Sequence, residues 1–352
     1  MKNLTILLYF FILFILLISC TNKKNNYQLN NDIIIDHIDK SKIERKDLKG
    51  ENIIVDSYYI DMNGAMMEYS RKNNILVFRN AEYNKDKPYF LIYSIDKNKI
   101  IKEAGKKGEG PTDFLKPDFI INDKLEDKIG YLLDFGNYKL YDIDNQFNFI
   151  FKKKLGINDD TNILGLFLLD DSLAVSISHN SKKGLLINIL NNGKIRQIYD
   201  LSILPSVNFF YAYNGTLQIN HKMKRMMYAY KFFNEIHFFD FEGKALKILR
   251  GKDKNRNKSD GIDEWLDNPY TPMYYMSSYS TDKYVYLQYA EERTLSEPFK
   301  EYTIIDQYDW DGNFIMEYKL DKPHGIICAD DEKRLFYFLT TTEDDPLYLY
   351  KY

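Results

Sequence analysis

"MKRMMYAYKFFNEIHFFDFEGKALKI", residues 223–248, carries two turn-and-strand signals in one short stretch. A polar turn ending at Arg225 runs straight into an apolar, aromatic strand. After an intervening stretch, a second strand breaks at Glu242-Gly243 and resumes at once. The Glu-Gly step supplies the positive φ that a two-residue hairpin turn requires. Both signals recur along the chain. The first appears as "RKNNILVF", "EDKIGYLL", "DDSLAVSI", "MKRMMYAY", "TDKYVYLQ" and "DEKRLFYF". Its last turn residues are Asn74, Lys128, Ser172, Arg225, Lys283 and Arg334, spaced 54, 44, 53, 58 and 51 apart. The second appears as "YSIDKNKII", "YDIDNQFNFIF", "INILNNGKIRQI", "FFDFEGKALKI" and "YDWDGNFIMEY". Its turn positions Lys97, Asn145, Gly193, Gly243 and Gly312 are spaced 48, 48, 50 and 69 apart.

Two hairpins per unit make a four-stranded antiparallel meander, and a period near 50 residues is that of a propeller blade. Six first hairpins and five second ones therefore predict an all-β, six-bladed β-propeller whose sixth blade lacks a strand. The chain stops at "PLYLYKY", after that blade's third strand. An open ring would expose a strand edge and one bare blade interface. The missing strand is expected from the N-terminus, where "DIIIDHI" (32–38) and "NIIVDSYYI" (52–60) both qualify. No segment after Cys20 sustains a capped 3.6-residue apolar period, so helices are not expected.

"GKKGEGPTDFLKP" (105–117) has the glycines and lysines of a phosphate loop but not its architecture. Such a loop needs a helix N-terminus directly after the glycines to aim amides at the anion. Here Pro111 follows them and Pro117 opens a strand. The segment reads as the joint between blades one and two, with Gly108 and Gly110 reversing the chain, Pro111 stiffening it and Phe114 plugging the gap. This Gly-x-Gly-Pro-x-x-Phe-x-x-Pro pattern is similar to the connectors of NHL-like and TolB-like six-bladed propellers. The run from Tyr308 to Tyr352 resembles the last blades of TolB-like lipoproteins of the Bacteroidetes type. That family has no established general activity, so the resemblance implies a fold and an address rather than a chemistry.

The address is written in "MKNLTILLYFFILFILLISC". Lys2 precedes an apolar or small run from Leu4 to Ser19, 16 residues long, shorter than the roughly 20 needed to span a bilayer. Leu17-Ile18-Ser19-Cys20 resembles the bacterial lipobox, which implies that Cys20 is lipidated and becomes the mature N-terminus. Residues 1–20 are then a lipoprotein signal, 21–30 a polar tether and 31–352 the propeller. Cys328 is the remaining cysteine, so no disulfide is expected within the chain. Lysines and asparagines rather than acids follow Cys20, which favours the outer membrane's periplasmic face over surface display. With 48 basic and 51 acidic residues the net charge is −3, which gives no electrostatic reason to expect nucleic acid. A monomer without cofactor is expected.

Catalytic motifs are scarce. The five histidines, at 37, 179, 221, 237 and 324, show no metal-ligand spacing, and no Gly-x-Ser-x-Gly elbow is present. The wide spacing of 69 is assigned to an insertion at about 251–271 between blades four and five. Within it Asp253, Asn255, Asn257 and Glu264 match a calcium-loop pattern, but Lys258 replaces the required glycine and lysines flank the acids. No metal site is therefore expected; a solvated loop is. Aromatics are the remaining lead: Tyr211 and Tyr213, Trp265 and Tyr270, and Tyr274 and Tyr275 cluster before the inner strands of blades four and five. With Asp118 and His324 at other inner-strand starts, they form the expected ligand site at the channel mouth. A glycan, peptide or envelope protein would be bound there, partly by stacking. The rival expectation is a lactonase-like hydrolase with a channel-bound cation, which Asp118 and His324 alone are too few to hold. Replacing Cys20 by Ser should abolish acyl labelling and leave a soluble chain or an uncleaved precursor. A processed, membrane-bound chain without lipid would refute the lipobox reading.

Overall fold

A computed structural model describes most of residues 34–352. Outside its description lie 1–33, 54–65, 81–87, 109–112, 158–161, 204–209, 253–268 and 341–346, and shorter stretches at 39, 41–42, 171, 181–183, 192–193, 295 and 324. Cys20, the leader, the tether, the calcium-like pattern, Trp265 and His324 therefore fall outside it. Residues Ile35–Tyr352 form one compact unit. Three short strands come first: β1 (Ile34–His37), β2 (Arg45–Leu48) and β3 (Glu51–Asn52). Blade one is β4 (Met66–Ser70), β5 (Ile75–Arg79), β6 (Phe90–Ser94) and β7 (Lys99–Ala104). The connector contributes β8 (Lys106–Lys107) and β9 (Asp113–Phe114), which pair with each other. Blade two is β10 (Pro117–Ile121), β11 (Lys128–Asp134), β12 (Lys139–Asp144) and β13 (Phe149–Lys154). Blade three is β14 (Asn162–Leu168), β15 (Leu173–Asn180), β16 (Gly184–Asn191) and β17 (Lys194–Asp200). Blade four is β18 (Gly215–Asn220), β19 (Arg225–Tyr230), β20 (Glu235–Asp240) and β21 (Ala245–Arg250). Blade five is β22 (Tyr275–Ser280), β23 (Tyr284–Tyr289), β24 (Thr303–Asp309) and β25 (Phe314–Leu320). β26 (Gly325–Asp330), β27 (Leu335–Thr340) and β28 (Leu347–Lys351) belong to blade six. The protein is a six-bladed β-propeller with no α-helix among the described residues.

Turn chemistry sets the blades' register. Asp144, Asp240 and Asp309 each end the third strand of a blade, and each Oδ1 accepts the backbone N–H groups two and four residues on. Such an Asx cap supplies acceptors that a tight turn otherwise leaves to water. Gly243 and Gly312 stand at φ +82° and +77°, the left-handed region expected of the Glu-Gly and Asp-Gly steps. A side chain at Gly243 would also strike the Ile198 carbonyl of blade three, 1.8 Å from where its Cβ would lie. In all five outer hairpins the pairing register slips by one residue. Such bulges bend a strand and sharpen its twist, which protects an exposed edge.

Middle strands such as Ile75–Arg79 and Phe90–Ser94 are buried along nearly their whole length. Each face of a blade packs on a neighbour, so these strands read as continuous apolar runs rather than alternating ones. Aromatic rings fill most interblade gaps, and Trp310 is buried with its Nε1–H donated to the Thr281 carbonyl at 3.0 Å. Phe114 is 1% exposed and stands edge-on to Tyr141 and Phe149 of blade two. It shares a core with Phe90 and Ile92 of blade one, so the connector plugs the first interface as the sequence implied. Gly105 (φ +77°) takes the left-handed turn there; Gly110 and Pro111 lie outside the description.

Ring closure uses the start of the second N-terminal candidate, whose residues 54–60 lie outside the description. Asn52 and Glu51 pair antiparallel with Tyr348 and Leu349 of β28, and the Ile53 amide donates to the Leu347 carbonyl at 2.8 Å. β3 thus completes blade six. The first candidate has a different place: β1 lies on β21 as a fifth strand of blade four, and β2 pairs parallel with β25 of blade five. The N-terminal segment is a strap across three successive outer edges. It is pinned at blade five, where Asp306 and Glu317 face each other across β24 and β25. Lys40 Nζ bonds both carboxylates, 3.1 Å from Glu317, and stands 3.7 Å over the Tyr289 ring, while Arg45 bonds Glu317 from its other side.

Burial raises the Asp306 carboxyl above its ordinary range, and Lys40 only partly offsets that. Glu317 is pulled lower, because Lys40 and Arg45 together outweigh its own desolvation. Removing one partner of a buried ion pair leaves an uncompensated charge, so Lys40→Ala should cost about 3 kcal/mol at neutral pH. Adding Asp306→Asn should recover much of that loss. Because Asp306 takes up its proton at a higher pH than an ordinary aspartate, the Lys40→Ala penalty should shrink on mild acidification. Urea denaturation of both variants across that range checks it.

Candidate functional site

Strand alternation places the connectors between blades, and the loop joining each blade's second and third strands, at one common end of the sheets. Two long segments meet at that end over blades four and five. One is the connector between β21 and β22. The other, missed in the sequence, is the β23–β24 loop, residues 290–302. The spacing of 69 spans both, and turn-to-turn counting cannot separate them. Ser296 N–H donates to the Pro269 carbonyl at 2.9 Å, and Met273 N–H to the Arg293 carbonyl at 2.8 Å. Within the loop the Arg293 guanidinium lies 3.9 Å over Phe299 and donates to the carbonyls of Glu297 and Pro298. Lys300 bonds Glu291 at 2.7 Å.

The aromatics expected at the site divide by burial. Tyr270 is 70% exposed on the same end as the loop. Tyr213, Tyr274 and Tyr275 are corrections to the expected ligand site: all three are buried. Tyr213 fills the core of blades three and four, and its carbonyl accepts the Tyr228 hydroxyl at 2.6 Å. Tyr274 and Tyr275 fill the core between blades four and five. A ring closed on both faces by protein offers none to a ligand. Tyr211 is placed only by its backbone, in the short 3-10 turn Phe210–Tyr213.

The inner strands carry a second polar constellation. Between blades four and five, Thr216 bonds Ser278, Gln218 Nε2 donates to Ser278 Oγ at 2.8 Å, and Ser280 Oγ donates to Gln218 Oε1 at 2.7 Å. Between blades one and two, Asp118 is held by Arg79. Burial raises the Asp118 carboxyl, against the pull of Arg79 and Lys116. Glu68, on β4, keeps part of its surface open, yet enclosure among the inner strands and then the Asp118 charge push its pKa up to about 8, against Arg79. Glu68 also acts electrostatically on Tyr279 of blade five and Cys328 of blade six. It is the point at which four blades share a field. The signal in the sequence was one acid inside the apolar strand "MMEYS". Among the described residues no group of three or more His, Cys, Asp or Glu is placed to hold a metal ion.

Fold and site together define a six-bladed propeller with a polar channel wall and a loop-bearing end. Two solved Bacteroides structures share the fold. A member of the duf4221 family from Bacteroides vulgatus superposes with a TM-score of 0.53 at 13% identity, covering 88% of this chain and 96% of the other. A protein from Bacteroides fragilis that is predicted to be exported superposes at 0.52 and 12% identity, covering 91% and 98%. No family model matches the sequence, and no curated protein matches it.

Glu68 gives a pH test of the channel. Its folded pKa lies above its unfolded value, so the native state holds the proton more tightly and stability falls as pH rises towards about 8. Glu68→Gln should therefore raise the melting temperature at alkaline pH and leave it unchanged near pH 4, about where both states are protonated. An unchanged alkaline melting temperature would place Glu68 in open solvent.

Proposed function

We infer that this protein is a lipid-anchored binding module of the bacterial cell envelope, facing the periplasm and presenting its loop-bearing end to a glycan, peptide or envelope protein. The observation that carries the binding role is the meeting of two long connecting segments over blades four and five, joined by backbone hydrogen bonds. Long loops on a rigid scaffold are where recognition residues gather. Tyr270 and Phe299 present rings at that end, at 70% and 42% exposure, beside the Arg293 and Lys300 cations. Rings with nearby polar groups suit stacking on a sugar face or gripping an extended peptide. The envelope address rests on the leader and lipobox, and is supported by the Bacteroides fragilis structure of a protein predicted to be exported.

A cation-dependent hydrolase is the weaker reading. Such a site gathers several oxygen ligands on one ion. Of the channel acids, Asp118 is already engaged by a guanidinium and Glu68 favours its neutral form.

Trp265, one of two tryptophans, shares the polar insertion of the sequence with Tyr270 and lies outside the described residues. Screening the protein on glycan and peptide arrays should yield a ligand whose affinity falls about tenfold in Trp265→Ala or Tyr270→Ala, since a stacked ring is worth about 1 kcal/mol or more. Melting temperatures should not change. Loss of folding with unaltered binding in the folded fraction would make these rings packing residues and defeat the assignment.

A further inference from the structure

The six interblade cores are unequal. Five of the buried clusters contain aromatic rings: Tyr228 and Phe239 in one, Tyr69 and Phe78 in another, and similar sets in the rest. The cluster of blades two and three has none among its buried residues, which are Leu133, Ile163, Leu166, Ala174 and Leu190, and Phe135 packs against it only partly buried. At that same junction lies a groove of ≈ 380 Å³. Ligand sites are typically clefts of roughly 300–1,000 Å³, lined mainly by apolar groups with a few polar ones.

The groove's floor is aliphatic: Leu155, Ile157, Leu166, Leu168, Leu173 and Leu190. Its charged lining residues are Lys153 and Lys154, from the end of β13, and Lys194, from the start of β17. Among the described residues that line the groove there is no carboxylate. Leaving aliphatic surface open to water forfeits the transfer free energy and dispersion contacts that rings supply at the other junctions. Flat rings would stack there; a floor of branched side chains without rings suits a flexible alkyl chain instead.

We propose that the groove between blades two and three binds a single-chain anionic amphiphile, a long-chain fatty acid, with its alkyl tail on the leucine floor and its carboxylate at the lysines. Such a ligand matches both halves of the lining. The site is separate from the loop-bearing surface over blades four and five and does not depend on that reading.

The test uses the full chain in membranes with a diazirine analogue of palmitate and mass-spectrometric mapping. Cross-links should concentrate on peptides containing Leu155–Ile157 and Leu168–Leu173, and unlabelled palmitate should displace them. The methyl ester, with the same tail and no charge, should compete about tenfold less well, as expected for the loss of one charge-assisted contact. The surface triple variant Lys153→Glu/Lys154→Glu/Lys194→Glu should lose labelling by a similar factor or more while keeping the wild-type melting temperature. Labelling spread evenly over the outer strands, or undiminished in the triple variant, would overturn the site. Displacement by phosphatidylglycerol but not by palmitate would overturn the single-chain assignment.

Discussion

Everything in this fold hangs on closing a ring whose two ends are unequal. The C-terminus supplies three strands of blade six, and β28 would be an open edge without β3. The pairing that closes it is short, Asn52 on Tyr348 and Glu51 on Leu349. Two residues of β-ladder are a weak clasp for a ring this size. The preceding segment does more, because it is fastened at blades four and five before it reaches blade six. Lys40 and Arg45 bring cations to two facing acids that would otherwise repel each other across the strand pair. The acids make the blade depend on the strap, and the strap's geometry depends on the acids. Leu48 then turns inward beside Tyr318 and Phe336, so apolar burial follows where the ion pairs have set the register.

That fastening explains an asymmetry. Blades four and five end in fifth strands, whereas blades one to three end in β7, β13 and β17, with no further strand paired to them among the described residues. The bare edges are guarded by bulges and by lysines along β7 and β13, two devices that discourage another strand from adding. Ile150 and Phe151 on β13 remain 55% and 58% exposed. Apolar residues are tolerated on a charged, bulged edge more readily than on a flat one.

Much of this was legible in the sequence because turn chemistry is local. "DNQF", "DFEG" and "DWDG" each mark a hairpin turn, and the structure adds that Asp144, Asp240 and Asp309 cap those turns. All six first hairpins fall where a polar turn precedes an apolar run. What stayed hidden depends on partners far away in the chain. Both N-terminal candidates have strand character, and only Tyr348 and Leu349 decide between them. Neighbouring tyrosines likewise divide by tertiary context: Tyr270 is open to solvent, while Tyr274 is sealed four residues later where the chain enters the interblade core. Composition marks both as aromatic and says nothing of which face is covered.

The same division bears on where function can reside. Residues that close and fill the ring are committed, since each interblade ring is buried by two blades and its loss leaves a cavity in both. Recognition must then use what the ring leaves over: the polar channel wall, the loops of the common end, and any junction the rings do not fill. The channel wall satisfies much of its own hydrogen bonding through Thr216, Gln218, Ser278 and Ser280, which lowers what a ligand could gain by displacing it. The loop end is different, because Tyr270 and Phe299 keep apolar ring surface in contact with water. A partner that covers those rings gains transfer free energy without breaking any interaction that holds the propeller closed.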